Sequence, residues 1–186
     1  LYRGLEQYQA NKDATLARAM DLTRRFGEKH ESEVRQAQTL LGTLAAAPEL
    51  TSSDPQKLRT ILLRIMDANP EYAYLTLANA DGSLRASSAS TDNSLNFSDR
   101  TSFQVAQRDR RFSVTAAVVS VTTGKAVLPF AAPVMGDGGQ ITGVLLLGLP
   151  IEEYDRYFST LDIPEGSRFV LFDGRGTRLL RSPRRD

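Results

Sequence analysis

The chain has 186 residues, 41% of them hydrophobic and 24% charged, and a formal net charge of +1. That is enough chain for one ordinary core, and the near-neutral balance carries no general attraction to nucleic acid or anionic membrane. There is no cysteine and a single histidine, His30, which excludes disulfides, thiol nucleophiles and zinc-finger ligand sets and leaves no metal or cofactor to expect.

Residues 1–47 contain no proline and are rich in Ala, Leu, Glu, Gln and Arg, all good helix formers. Apolar or small residues at 16, 20, 23, 27, 30, 34, 37, 41 and 44 alternate in steps of four and three, one stripe of a long helix. Leu16, Met20, Val34, Ala37, Leu41 and Leu44 make the stripe strong at its ends, while Thr23, Gly27 and His30 weaken its middle. A helix of about 45 residues would be about 65 Å long. Part of it is therefore expected to project or to pair with a second copy of the chain, with His30 as a packing or dimer-contact residue. Pro48 ends this helix. Ser53-Asp54-Pro55 is a cap followed by proline at the first helical position. Leu58, Ile61, Leu62, Ile65 and Met66 give the apolar face of a second helix over 54–68, which Asn69-Pro70 stops.

From residue 71 the period changes. Tyr72, Tyr74 and Leu75-Thr76-Leu77 read as a strand, Ala80-Asp81-Gly82-Ser83 as a hairpin turn, and Leu84–Ser88 as the returning strand. Residues 87–98 are polar and turn-rich, hence a loop, and Asp99–Arg108 reads as a short helix. Three long strands are expected over 112–121, 126–135 and 141–149, joined by Thr122-Thr123-Gly124-Lys125 and Gly136-Asp137-Gly138-Gly139. The most apolar run, ITGVLLLGLP over 141–150, falls well short of the roughly 20 residues that span a bilayer and reads as a buried strand. A helix follows over 151–161, with Glu152 and Glu153 complementing its dipole. A last hairpin over 168–181 turns at Asp173-Gly174. Tight turns between consecutive strands imply antiparallel pairing. The expected class is α+β: a five-stranded antiparallel sheet in a 2+3 pattern, with helices on one face. The expected organisation is a helical region over 1–70, a domain over 71–161, and the start of a second module over 162–186. A chain that opens at Leu1 is expected to be a piece of a longer protein.

Four stretches, YLTLANADGSLRASS, LNFSDRTSFQVA, FSVTAAVVSVTTGKAVLPFAAPVMGDGGQITGVLLLGLPIEEY and FVLFDGRGTRLLRSP, resemble the Cache sensor domains, also called PDC or extracytoplasmic PAS-like domains. The likeness spans roughly residues 72–182 and is nearest to the first module of double Cache sensors that precede diguanylate cyclases and histidine kinases. The resemblance implies a PAS-like sheet and a long first helix leading from a transmembrane segment outside this chain. It also implies a periplasmic or extracellular location and an output kinase, cyclase or chemoreceptor domain elsewhere. It implies a binding, non-enzymatic role.

Arg100 stands at the start of a helix, where the dipole favours acids. With the free N–H groups of that helix end it would make half of an anion clamp. Thr101 and Ser102 would add hydroxyls, Tyr72 and Tyr74 an aromatic wall, and Lys125 a second positive charge if it points back across the sheet. In amino-acid-binding relatives this segment reads as arginine, a spacer, two aromatics, two residues and alanine. Arg100, Phe103 and Ala106 fit, but Ser102 replaces the first aromatic, Phe103 lacks a hydroxyl, and Val118–Lys125 holds no carboxylate for an amine. The expected ligand is therefore a small organic anion such as a carboxylate, not an α-amino acid. The competing reading pairs Arg100 with Asp99 or Asp92, solvates Lys125 and puts the tyrosines at the core edge. Phe97, Phe103 and Phe130 would then fill the pocket of a ligand-free dimerisation or protein-interaction module. The Asp-Gly turns lack the alternating acids of a calcium loop, no phosphate loop occurs, and the arginines of the C-terminal tail are too few to argue for nucleic acid.

Overall fold

The computed structural model describes residues 2–161, 169–172, 176 and 178–182. The chain divides into two compact units, residues 1–37 and 38–186. The first is built from helix α1 (Tyr2–Ala45), whose last turns belong to the second. Ion pairs at three- and four-residue spacing line its polar face: Arg24 reaches Asp21 at 2.6 Å and Glu28 at 2.7 Å, and Arg25 reaches Asp21 at 2.8 Å. Leu16 and Met20, the N-terminal end of the apolar stripe, are exposed. The rings of Phe26 and His30 stack with centroids 6.3 Å apart. Among the described residues, no helix is long and apolar enough to cross a membrane.

In the second unit, a 3-10 turn (Pro48–Thr51) precedes α2 (Pro55–Asp67). Asp54 caps α2 as expected, accepting from the N–H groups of Gln56 at 2.9 Å and Lys57 at 3.2 Å. The sheet follows: β1 (Tyr74–Asn79), β2 (Leu84–Ser87), then α3 (Thr101–Asp109), β3 (Ser113–Val114), β4 (Val118–Val119), β5 (Ala126–Met135) and β6 (Ile141–Pro150). Helix α4 (Glu152–Ser159) closes the unit, and β7 (Phe169–Phe172) and β8 (Arg178–Ser182) form a separate two-stranded sheet. The main sheet is antiparallel in the order β2-β1-β6-β5-β3, with β4 beside β3 on the same edge of β5. The class is α+β, with a long N-terminal helix and an antiparallel sheet flanked by helices.

Two differences from the sequence expectation matter. The sheet is covered on both faces, not one. Tyr74, Ala78, Val127, Ala131, Val144 and Leu146 pack with Phe97, Phe103 and Ala106 on the α3 side. The alternate residues Leu75, Leu77, Leu145, Leu147 and Leu149 are fully buried on the other. Second, the long strand expected over 112–121 is two two-residue strands with Thr115, Ala116 and Ala117 between them. The cause lies in the neighbouring strand. Val114 pairs with Phe130 and Val118 with Val127, so three residues on the edge face two on β5. Thr115 N–H donates to Pro129 O at 3.3 Å, but Pro129 has no N–H to return. The ladder breaks there, and the edge strand bulges outward.

Candidate functional site

The bulge opens a cavity of about 340 Å³ between the edge strand and the start of α3, toward the small end of ligand pockets. Its floor is a row across three strands, because Tyr74 pairs with Gly148 and Gly148 with Pro129. The Tyr74 ring lies across Gly148: a Cβ on that glycine would stand 2.7 Å from the ring's Cζ, well inside ordinary contact. Glycine at this position is what lets the phenol lie flat on the sheet. Leu146, two residues earlier on the same face, continues the floor.

The polar end is built by the segment before α3. The β1–β2 turn holds it in place: Phe97 N–H donates to Gly82 O at 2.7 Å and Leu84 N–H to Leu95 O at 3.1 Å. Gly82 has φ of +85°, and a Cβ there would meet the Ser98 backbone nitrogen at 2.5 Å. Only glycine tolerates both the conformation and the approach. Asp81 stiffens the same turn by accepting from the N–H and hydroxyl of Ser83 at 2.9 and 2.6 Å, bonds that hold its carboxyl below the usual range. Phe97 is buried, and Arg100 N–H donates to its carbonyl at 2.9 Å. Arg100 is thereby fixed as the N-cap residue of α3, in extended conformation, with no side chain capping the helix and no acid in its first turn.

Tyr74, Arg100, Thr101 and Ser102 line the cavity together with Asp99. Tyr74 and Ser102 are only 8% and 6% exposed, and neither hydroxyl has a hydrogen-bond partner among the described residues. Burial pushes the Tyr74 phenol up to about 12, and the positive charge of Arg100 offsets a smaller part of that. The guanidinium and the phenol therefore sense one another. Asp99 Oδ1 stands 3.1 Å from Arg100 Nε, but the two are poorly aligned: this buried Nε–H has no hydrogen-bond partner although the ion-pair distance is met. The pair is also exposed, 42% for Arg100 and 69% for Asp99, so its net contribution is small.

Three of the residues singled out from sequence are not brought into the lining. Tyr72 lies in a bend before β1, so it does not alternate with Tyr74 on a strand; it is buried. Phe103 is a core residue, 1% exposed. Lys125 is exposed beyond the hairpin glycine Gly124. Sequence reasoning passed over Pro129, Leu146 and the bulge wall. Apart from Thr115 at its start, the wall is apolar in effect. Ala116, Ala117, Val118, Val119 and Val121 line it, while the hydroxyls of Ser120 and Thr122 bond each other at 2.8 Å and Ser120 Oγ accepts from the Thr122 and Thr123 N–H groups. Among the described residues no group of His, Cys, Asp or Glu side chains is placed to hold a metal.

The family model for Cache domains matches residues 5–186. The chain belongs to the Cache domain family. Sporulation kinase D of Bacillus subtilis is 25% identical over 99 residues, which are 53% of this chain and 20% of that protein. The extracellular domain of the histidine kinase rpHK1S-Z16 has a similar fold, with a TM-score of 0.71 at 22% identity, over 83% of this chain and 65% of that one. The ligand-binding domain of the Pseudomonas aeruginosa amino acid chemoreceptor PctC, in complex with GABA, gives a TM-score of 0.62 at 22% identity, over 82% of this chain and 67% of that one. This Cache domain thus spans a fifth of the curated kinase and about two thirds of the similar solved chains.

Proposed function

We propose that this Cache domain is the extracytoplasmic ligand-sensing part of a transmembrane signalling receptor, and that it takes a small organic anion in the cavity beside Arg100. One observation carries the reading. The Arg100 Nε–H, buried and without a hydrogen-bond partner among the described residues, lines the same cavity as the Tyr74 and Ser102 hydroxyls, which also have none there, and an uncapped helix end. Buried polar groups in folded proteins are satisfied almost without exception. Three donors facing one space are satisfied by an acceptor-rich group, and a carboxylate is the common one. PctC and rpHK1S-Z16, a chemoreceptor and a histidine kinase, support a receptor setting, an extracellular location and a ligand of this size class.

Arg100 has two alternatives, the exposed Asp99 or a ligand. A ligand that draws the guanidinium inward binds one arrangement of residues 95–106 better than the other, and only such a difference shifts a population. The signal then passes to α1, which pairs with a second copy in the dimer. The output is a kinase, cyclase or chemoreceptor domain of the whole receptor. A thermal-shift screen of organic acids on the 186-residue chain tests the reading. At least one carboxylate raises the melting temperature, and Arg100→Ala abolishes that rise while leaving the ligand-free melting temperature within a degree or two, as expected of a half-exposed side chain. If no acid stabilises the chain, the competing reading stands: Arg100 serves Asp99, and the domain is a ligand-free dimerisation module.

A further inference from the structure

We propose that the ligand is a monocarboxylic acid with an apolar body, of the branched-chain or arylacetic kind, and not a dicarboxylate or an amino acid. This rests on the anion-sensing reading above and narrows it. The cavity has one polar end and one apolar wall. Arg100 is the single cation among the described lining residues. A second carboxylate on the ligand would lie against valines with no partner, and an unpaired charge next to an apolar wall is costly. Asp99 is the single acid among the described lining residues; at 69% exposure and already 3.1 Å from Arg100, it offers an ammonium group only a solvated, shared contact.

The wall supplies the positive argument. Val118, Val119 and Val121 line the cavity and are 47%, 67% and 46% exposed. From Phe112 to Gly124 the edge carries no charged residue at all, where natural edge strands are usually protected by charge. Of the edge hydroxyls that line the cavity, those of Ser120 and Thr122 are turned onto each other and the local backbone, which leaves Thr115 alone among the described lining residues of the edge. Exposed β-branched residues concentrated around a cavity, opposite a cation, are what an amphiphilic acid covers: its carboxylate meets Arg100, Tyr74 and Ser102, and its hydrocarbon meets the valines.

Isothermal titration of the 186-residue chain with acetate, isovalerate, phenylacetate, succinate, leucine and GABA tests this. Isovalerate or phenylacetate binds at least about tenfold tighter than acetate, since each buried methylene contributes severalfold in affinity, and tighter than succinate, leucine and GABA. Val119→Thr and Val121→Thr keep shape and strand propensity at exposed positions, so the ligand-free melting temperature is unchanged. They weaken isovalerate severalfold and leave acetate as it was. Tighter binding of succinate, leucine or GABA than of either apolar acid overturns the inference and leaves anion sensing intact. Unchanged isovalerate affinity in both valine variants also overturns it. Failure of every acid to bind overturns both readings together.

Discussion

Tyr74 shows how one residue ties the sheet to the site. It is the first residue of β1, its ring lies flat because Gly148 opposes it, and its hydroxyl faces the cavity without a partner. Its ionisation is a direct probe of that placement. In the unfolded chain the phenol ionises near 10.0; in the folded chain it is pushed up to about 12. Between these values the unfolded chain releases a proton that the folded one keeps, so stability present below pH 10 falls as pH rises to 12, by about 3 kcal/mol in all. Comparing urea denaturation of the wild type and Tyr74→Phe from pH 9 to 12 isolates the effect, because the phenylalanine variant lacks this part of the alkaline slope. At neutral pH the same variant is as stable as the wild type, having lost a hydroxyl with no partner among the described residues, and binds the anion about tenfold more weakly or worse. Arg100, Thr101, Ser102 and Tyr74 were legible as candidates from helix-start chemistry and the family likeness. Tyr72, Phe103 and Lys125 went elsewhere for local reasons: a bend ahead of β1, an inward helical position, and a hairpin that points its lysine to solvent.

At the scale of elements, β1, β5 and β6 form the rigid frame, and their row Tyr74–Gly148–Pro129 sets the cavity floor. Gly148→Ala discriminates between strand propensity and packing. Propensity alone favours alanine over glycine in a strand by about 0.5–1 kcal/mol. The methyl group would collide with the Tyr74 ring, so the expected result is a loss of about 1–3 kcal/mol. The loss largely disappears in a Tyr74→Ala background, where a double-mutant cycle by urea denaturation reads it. A gain in stability for the single variant would show that the ring does not lie where described. Most elements were legible from period and punctuation: α2 from its cap and proline, the hairpins from Asp-Gly and Thr-Gly turns, and β6 from its apolar run. The broken edge strand was not, because residues 112–121 by themselves read as continuous β. The signal sat in the partner, at Pro129, and only the register of β5 against the edge shows which ladder bond the proline removes. Periodicity reads one segment at a time; the cavity comes from the pairing of two.

At the scale of the molecule, the two units have different tasks in the proposed receptor. Residues 38–186 hold the sheet and cavity, and residues 1–37 belong to α1 alone. A helix whose N-terminal apolar residues stand in solvent, Leu16 at 58% and Met20 at 66% exposed, is expected to bury them against its copy. Light scattering of the 186-residue chain gives a dimer at tens of micromolar, and Leu16→Glu with Met20→Glu makes it monomeric without changing carboxylate binding, since neither residue lies at the cavity. A monomeric wild type, or a double variant that stays dimeric, places the self-association elsewhere or nowhere.

The missing N–H of Pro129 has one more consequence. Because β3 and β4 are anchored separately, each by two residue pairs with β5, Ala116 and Ala117 carry none of the sheet's register. Residues added, removed or exchanged at 116–117 are expected not to slide β5 against β6 or move a core leucine. The proline acts as an expansion joint in the wall. In the proposed receptor it would uncouple the wall that meets a ligand from the frame that keeps the domain folded.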